Sequence, residues 1–267
     1  VSLRYGMRTD GRSGYVFINH YQRLSVLADI EEVVIDTGNV VFPSFDVKGK
    51  ISFFLPFMMK IGNSGLTLEY ATAQPVCRMD HTYFFVEIPG ISAVYHFTDG
   101  RRIHMTAGRE AVLLEADIRV VTLSWEDAKY LRRLEKNGNK TLYLGNGCDL
   151  YMYNGQILNV EEGKYTCYEW NGETFCPFTT GSEKAEVEVT IREVDEPPFE
   201  PVYGEELRIG SQRVVKWKEI VVKGSQGFVS IEEDYDVAQI YAEGRLLADN
   251  FNYGRPWRVP AKLLAGR

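Results

Sequence analysis

Carboxylates are the first side chains in this sequence that could do acid–base chemistry. Several stand side by side, for example at Glu31-Glu32, Glu161-Glu162 and Glu232-Glu233. Catalysis by two carboxylates needs the groups to face each other across a cleft, one protonated and one ionised. Each pair instead lies in a predicted turn or on the solvent face of a predicted strand. The pattern indicates solvated surface, and the sequence predicts no catalytic residue.

The histidines are too scattered to indicate a metal site. They show no His-x-His or similar ligand spacing; they are His20, His81, His96 and His104. Asp234 and Asp236 could offer carboxylate oxygens to Ca²⁺, but a calcium site needs several more ligands, so a plain turn is the favoured interpretation. The sequence contains neither a Gly-x-Ser-x-Gly nucleophile elbow nor a phosphate-binding loop. It therefore predicts no bound metal and no cofactor.

One disulfide can be predicted from turn chemistry. Asn171-Gly172 is a strong signal for a two-residue hairpin loop. Counting outward from that loop places Cys167 opposite Cys176, at a position where side chains of paired strands approach most closely. A cross-strand disulfide is feasible there in an oxidising compartment, and free thiols are the alternative in a reducing one. The other two cysteines, Cys77 and Cys148, are predicted to be buried thiols.

Aromatic residues are the remaining candidates for a site, because sugar rings stack on flat π faces. The candidate carbohydrate-binding residues are Tyr168 and Trp170 on the predicted hairpin, and Tyr253 and Trp257 near the C-terminus. Strand alternation places Tyr168 and Trp170 on the same face. The alternative is that these rings cover a core or a docking surface, which is the favoured role of Trp257 beside Pro256.

The composition is that of an ordinary globular protein with an acidic balance. Hydrophobic residues make up 45% and charged residues 25% of the 267 residues, and the length suffices for two domains. The formal net charge of −7 argues against nucleic acid and anionic membrane surfaces as main partners. No apolar run approaches the roughly 20 residues of a membrane span. The chain begins at Val1 without a signal-like segment, which is typical of a fragment or of a processed chain.

Short apolar segments separated by turn residues predict an all-β fold. Pro89-Gly90 and Asp99-Gly100 are turn signals. The predicted strands of the first half include residues 14–23, 49–57, 66–71 and 82–88. Strands at this spacing are typical of antiparallel β-sandwich domains.

One short helix is predicted near residues 124–136. Ser124 is a good N-cap, and Asp127 follows it three residues later, as in a capping box. Ala128, Leu131 and Leu134 then fall on one helical face. Asn-Gly dipeptides predict a meander of hairpins after the helix; they stand at 137–138, 146–147, 154–155 and 171–172.

A polar stretch near residue 183 predicts a boundary between two domains. Residues 1–183 are expected to form a β-sandwich or meander domain that includes the short helix. Residues 184–267 are expected to form a jelly-roll-like β domain, in which Phe251 and Trp257 fold back over the core.

Two areas of the sequence carry longer motifs. The C-terminal area reads Asp236-Val-Ala-Gln-Ile-Tyr-Ala-Glu-Gly244 and then Asp249-Asn-Phe-Asn-Tyr-Gly-Arg-Pro-Trp257. The N-terminal area includes Gly14-Tyr-Val-Phe-Ile-Asn-His-Tyr-Gln-Arg23, Leu55-Pro-Phe57 and Thr82-Tyr-Phe-Phe-Val-Glu-Ile-Pro-Gly-Ile91. The first area resembles the jelly-roll segment of β-galactosidase-like enzymes of glycoside hydrolase family 35. The second is similar, in order and spacing, to the β-domain that follows the catalytic barrel in bacterial members.

This resemblance implies a galactose-binding-like jelly roll and a place beside a separate catalytic (β/α)8 barrel. The family's two catalytic glutamates belong to strand ends of that barrel, and no run of alternating strands and helices occurs here. The chain is therefore expected to be a non-catalytic accessory region whose partner is the barrel of the parent protein. The alternatives are a free-standing carbohydrate-binding module for β-galactoside glycans and a structural interaction domain. Nucleic acid and membranes are not expected partners.

Overall fold

The computed structural model describes residues 3–22, 25–62, 65–115, 117–182, 187–196, 198–199, 215–252 and 256–266. This part of the chain contains 24 strands and two short helices, which confirms the predicted all-β class. Neither of these helices is long and apolar enough to cross a membrane. The chain divides into two compact units, Val1–Gly181 and Ser182–Arg267.

The first unit contains three sheets and two small ladders. Its elements are β1 (Arg4–Thr9), β2 (Gly14–His20), β3 (Ile30–Val33), β4 (Phe45–Val47), β5 (Ile51–Lys60), β6 (Thr67–Ala71), β7 (Ala73–Met79), β8 (Thr82–Glu87), β9 (Ala93–Phe97), β10 (Arg102–Met105), β11 (Val112–Glu115), β12 (Ile118–Leu123), α1 (Trp125–Lys129), β13 (Leu131–Lys136), β14 (Asn139–Leu144), β15 (Leu150–Tyr153), β16 (Gln156–Asn159), β17 (Gly163–Trp170) and β18 (Phe175–Ser182). The sheet orders are β1-β2-β5-β6-β9-β10, β11-β12-β8-β7 and β13-β14-β17-β18, and β3–β4 and β15–β16 pair separately. The described pairings are antiparallel, apart from β12 and β8, which are parallel.

The sheet that contains β8 is the middle layer of the first unit. Phe85 of β8 faces the six-stranded sheet, where its ring meets Tyr95 of β9 edge-on at a centroid distance of 5.1 Å. Its neighbour Phe84 faces the other way and packs with Trp170 and Phe175 of the third sheet. Both phenylalanines are buried. Because a strand turns successive side chains to opposite faces, β8 must be apolar at consecutive positions to fill both cores.

The helix predicted near residues 124–136 is present but ends early. Helix α1 covers Trp125–Lys129, and the Ser124 hydroxyl caps it by accepting a hydrogen bond of 3.0 Å from the Asp127 amide. Residues Leu131–Lys136 form strand β13, which pairs with β14 across the Asn137-Gly138 turn. Both turn residues have positive φ, +52° and +80°, as a type I′ hairpin turn requires. Leu131 and Leu134 therefore lie in a strand of this hairpin, although their spacing also matches one face of a helix.

The second unit is built from two-stranded antiparallel ladders in its described residues. Its elements are β19 (Glu188–Val194), β20 (Trp217–Lys223), β21 (Phe228–Ile231), β22 (Val237–Ala242), β23 (Arg245–Phe251), β24 (Trp257–Pro260) and α2 (Ala261–Leu264). The pairs are β19–β20, β21–β24 and β22–β23. A small buried cluster holds Val222, Val229 and Ala261. The jelly-roll connectivity stays a prediction.

The two aromatic residues expected to cover the second core differ in their surroundings. Trp257 is half-buried in β24, whereas Phe251 at the end of β23 is 69% exposed. Three other rings cluster: Phe199 lies 5.1 Å from Tyr241 and 6.3 Å from Trp217, measured between ring centroids. Among the described residues of this unit, the ring-to-ring contacts thus involve these three rings and not Phe251.

Candidate functional site

Strands β1, β2 and β5 turn a face that carries aromatic side chains towards solvent. On β2, Val16 and Ile18 are buried in the core, so the alternation of the strand turns the residues between them outward. The strand register aligns them with residues of β1 and β5 in three rows, which are Arg8-Tyr15-Pro56, Gly6-Phe17-Phe54 and Arg4-Asn19-Ser52. All nine are exposed except the half-buried Phe54 and the buried Pro56 at the β5 edge. We call these nine residues the outer aromatic face.

Three rings form the centre of the outer aromatic face. Phe54 contacts Tyr15 edge-on at a centroid distance of 5.6 Å and contacts Phe17 at 5.4 Å. Tyr15 and Phe17 are 37% and 41% exposed. Rings that already hold one another in place lose little conformational freedom when a partner binds, which suits them as anchors of an interface.

Positive charge flanks the rings on the β1 side. Arg4 and Arg8 are both exposed, and the Arg4 guanidinium donates a hydrogen bond of 2.6 Å to the Tyr21 carbonyl oxygen. Gly6 stands between the two arginines, and no atom lies within 4 Å of the position that its Cβ would occupy. This gap leaves the flank of Phe17, the residue opposite Gly6, open to a ligand.

The chemistry that the outer aromatic face offers is recognition by apolar contact and positive charge. Its rings present apolar and π surface, and its guanidinium groups can pair with carboxylates or stack on the rings of a partner. Three strands about 4.8 Å apart and five residues along each strand give a patch of roughly 10 by 14 Å. A full interdomain interface covers about 600–1,500 Å², so this patch could form only the centre of one.

A signal for this face is present in the sequence of β2. A half-buried strand normally alternates apolar inward residues with polar outward ones. In Gly14–His20 the inward residues Val16 and Ile18 alternate with Tyr15 and Phe17, so both faces are apolar. Apolar residues on both faces of such a strand indicate a second surface that something else covers.

Trp170, predicted as part of a sugar platform, lies in the core of the first unit. It is 7% exposed, and its ring packs against Phe84 at 5.0 Å and against Phe175 at 5.2 Å. Tyr168 packs against the same cluster, on the face that strand alternation predicts. Trp170 thus has the core-packing role that was the alternative interpretation of the sequence.

The ring of Tyr168 is covered by a cation. The guanidinium carbon of Arg109 lies 3.8 Å from its centroid. The same guanidinium donates two hydrogen bonds to the Asp127 carboxylate, at 3.0 and 2.8 Å, and these bonds raise the pKa of Arg109. The Arg109 and Asp127 side chains are 28% and 17% exposed. Arg109 therefore ties the segment before β11 to helix α1 and to β17.

The change Arg109→Lys is expected to lower the free energy of unfolding by about 1–2 kcal/mol. An ammonium group can neither form both parallel hydrogen bonds to Asp127 nor lie flat on Tyr168. The matched control is Lys140→Gln, since Lys140 forms an exposed ion pair of 3.4 Å with Glu135; its expected effect is below about 0.5 kcal/mol. Urea unfolding followed by circular dichroism measures both variants. Equal effects would contradict the structural role of Arg109.

The C-terminal pair of predicted sugar-binding residues is only partly described. Tyr253 lies outside the described residues. Trp257 is half-buried in β24, where it stands opposite Ile231 of β21. A carbohydrate-binding role for Tyr253 and Trp257 stays a prediction.

The hairpin that carries two of the cysteines closes in a different register from the one predicted. The Asn171 amide donates to the Thr174 carbonyl oxygen at 3.1 Å, and the Asn171 side-chain oxygen accepts from the amides of Glu173 and Thr174. The loop is therefore Gly172-Glu173 instead of Asn171-Gly172. Counting outward from this loop places Cys167 opposite Phe178, so Cys167 no longer stands opposite Cys176.

All four cysteines are free thiols, which differs from the predicted Cys167–Cys176 disulfide. The Cys176 sulfur lies 3.1 Å from the Asn171 side-chain nitrogen. Cys167 is fully buried, and its sulfur lies 3.7 Å from that of Cys148. The structure thus brings Cys167 together with a cysteine from a different part of the chain.

Three of the four histidines make separate pairwise contacts. His20 is buried, and its Nε2 lies 2.7 Å from the Ala28 carbonyl oxygen. His81 lies 3.0 Å from the Asp117 carboxylate, and His96 lies 3.2 Å from a carboxylate of β6. Within the described ranges, no group of three or more His, Cys, Asp or Glu side chains could hold a metal ion.

No protein-family model matches this chain, and no curated protein matches it significantly. The outer aromatic face brings exposed rings, positive charge and an open gap together.

Proposed function

We propose that this chain is the non-catalytic β-rich region of a β-galactosidase-like glycoside hydrolase, and that its outer aromatic face docks against the catalytic (β/α)8 barrel of the parent protein. The observation that carries the proposal is the ring group made by the exposed Tyr15 and Phe17 with the half-buried Phe54, on strands β2 and β5, whose other face is buried. Aromatic residues and arginine, which are grouped on this face, are enriched at the centres of protein interfaces. The resemblance of the sequence motifs to family 35 supplies the identity of the partner.

The charge of β1 supports a protein partner with acidic groups around an apolar centre. The chain as a whole carries a formal charge of −7, yet β1 reads Arg-Tyr-Gly-Met-Arg-Thr and holds two arginines without an acidic residue. Complementary charge at the rim of an interface steers association and fixes its orientation, while apolar contacts at the centre supply most of the affinity. Arg4 and Arg8 would steer and orient the partner, and Phe17 and its neighbouring rings would supply most of the affinity.

The arrangement of the rings favours a protein surface over a sugar. A sugar ring stacks on one flat, open ring. Tyr15 and Phe54 meet at an interplanar angle of 83°, and Phe17 is tilted by 31° from Phe54. The three rings therefore form an uneven ridge, and side chains of a docked domain can fill its recesses.

A carbohydrate-binding module is a second candidate, favoured by the gap at Gly6. The open flank of Phe17 is bounded by Arg4 and Arg8, which stand in the adjoining rows of the outer aromatic face. One β-galactoside ring could stack beside Phe17 there, with its hydroxyls accepting hydrogen bonds from the guanidinium groups.

The change Phe17→Ser is expected to weaken binding of the purified chain to the separately produced barrel of its parent at least about tenfold. An anchor at the centre of an interface contributes more than about 1.4 kcal/mol, the equivalent of a factor of ten. Isothermal titration calorimetry measures the affinity. Leu113→Ser is the matched control, because Leu113 is 58% exposed on β11 of another sheet; its affinity should equal that of the unsubstituted chain.

Titration with galactose, lactose and β-galactans separates the two candidates. Glycan binding that Phe17→Ser abolishes, without binding to the barrel, would establish the carbohydrate-binding module. A barrel that binds neither the chain nor its variants would contradict the docking proposal. Turnover of a nitrophenyl-galactoside that disappears when one carboxylate is substituted would show that the chain is itself an enzyme.

A further inference from the structure

Two cysteines that are distant along the chain meet in the core of the first unit. The sulfur atoms of Cys148, which follows β14, and Cys167 of β17 are 3.7 Å apart, and both residues are fully buried. Both thiols also lie near the Gly145 carbonyl oxygen, at 2.7 and 3.5 Å. They belong to a small cluster that further includes Tyr143, Leu150 and Ile157.

We propose that Cys148 and Cys167 are the partners of a structural disulfide that forms when the chain folds in an oxidising environment. The sulfur–sulfur bond of a disulfide is about 2.05 Å long, so the two atoms need to approach by only about 1.7 Å. Rotation about the side-chain bonds of two cysteines that already face each other can supply that distance.

The surroundings of the other cysteines single out this pair. Cys77 lies in β7 and packs against the separate cluster around Phe84 and Trp170. Cys176 is directed towards Asn171. A bond between Cys148 and Cys167 encloses the β15–β16 hairpin and fastens its base to β17. The cluster has five buried members, two of which are the cysteines themselves, so a cross-link adds constraint where apolar burial is small.

The bond forms by exchange with a small-molecule disulfide such as oxidised glutathione. The Cys148 thiolate attacks one sulfur of that disulfide and releases one small thiol. The Cys167 thiolate then attacks the Cys148 sulfur of the mixed disulfide and releases the second small thiol. The two protein thiols lose two electrons and two protons, and the small disulfide gains them as two thiols.

Burial of the two thiols determines when during folding this exchange can happen. Loss of solvent raises the pKa of Cys148 to about 12 and also raises the pKa of Cys167, so thiolates are scarce once the cluster has closed. The thiolate is the reacting species. The bond therefore forms while the β14–β17 region is still open, and the folded core then shields it from reductants.

The test is to refold the reduced, full-length chain in a buffer of oxidised and reduced glutathione. Remaining thiols are blocked with iodoacetamide in a denaturant, which exposes buried cysteines, and the protein is then digested with trypsin and a glutamate-specific protease without reduction. Lys164 provides a cut between Cys148 and Cys167, and Glu169 and Glu173 provide cuts between Cys167 and Cys176. Mass spectrometry should find the Cys148 and Cys167 peptides joined and the other two cysteines alkylated. Alkylated Cys148, or a Cys167–Cys176 link, would overturn the proposal.

Variants and melting temperatures give independent readouts. Cys176→Ser is the matched control and should leave the cross-link intact; loss of the cross-link in this variant would overturn the proposed pairing. The oxidised chain should melt about 6–12 °C above the reduced chain. The double variant Cys148→Ala/Cys167→Ala should melt at the same temperature with and without reductant. An oxidised chain that melts no higher than the reduced one would overturn the structural role of the bond.

Discussion

Gly145→Ala is expected to lower the free energy of unfolding of the first unit by at least about 3 kcal/mol. A Cβ at this position would lie 1.7 Å from the Cys148 carbonyl oxygen and 2.9 Å from the carbonyl carbon. These are backbone atoms, which cannot swing aside as the end of a flexible side chain can. The turn is also fixed by hydrogen bonds of 3.1 Å from the Cys148 amide to Gly145 and from the Gly145 amide to Tyr130.

Gly108→Ala is the matched control for Gly145→Ala. No atom lies within 4 Å of the position that a Cβ on Gly108 would occupy. Its effect is therefore expected to stay within about 0.5 kcal/mol, as for surface substitutions in general. Urea unfolding followed by circular dichroism compares the two variants. If Gly145→Ala were as stable as Gly108→Ala, the close approach of the chain at Cys148 would be contradicted.

Trp170→Ala is expected to lower the free energy of unfolding of the first unit by about 3–5 kcal/mol, because it leaves a large cavity in a closely packed core. The indole ring is 7% exposed and lies between Phe84 and Phe175. Trp170→Phe keeps an aromatic ring in this space and should recover most of the loss. Scanning calorimetry is the suitable measurement, since these substitutions change the fluorescence.

Tyr5→Ala is the control for the loss of an aromatic ring from the surface of the same unit. Tyr5 is 70% exposed, so its removal should change the free energy of unfolding by less than about 0.5 kcal/mol. Comparing Trp170→Ala with Tyr5→Ala also decides whether Trp170 packs in the core or serves as a sugar-binding platform. A platform residue would lose glycan affinity while stability stayed constant. That result would contradict the core-packing role of Trp170.

The cysteines show which contacts can be predicted from neighbouring residues in the sequence and which cannot. Turn chemistry correctly indicates a hairpin near residue 171, because Asn171 and Gly172 act on the backbone beside them. The exact loop depends on which backbone amides donate hydrogen bonds to the Asn171 side-chain oxygen. Because the loop is shifted by one position, Phe178 instead of Cys176 stands opposite Cys167. The true neighbour, Cys148, comes from beyond the β15–β16 hairpin, and no turn rule links it to Cys167.

The candidate site was predictable in part. The alternation of β2 marks Tyr15 and Phe17 as outward-facing once Val16 and Ile18 are assigned to the core. The neighbours of these rings depend on the pairing of β2 with β1 and β5, since register alone decides that Gly6 and Phe54 flank Phe17. Register is a property of three strands together, and the sequence of one strand does not contain it.

Features that depend on neighbours along the chain follow from the amino-acid sequence alone. Strand periodicity and frequent turn residues gave the all-β class, and the Ser124 hydroxyl marked the start of helix α1. The tertiary structure alone decided which strands are covered on both faces. Strand β8 is buried on both sides because one sheet packs on each of its faces, and its parallel partner β12 lies some 35 residues further along the chain. Packing between layers joins residues that are distant in sequence, so local patterns cannot specify it.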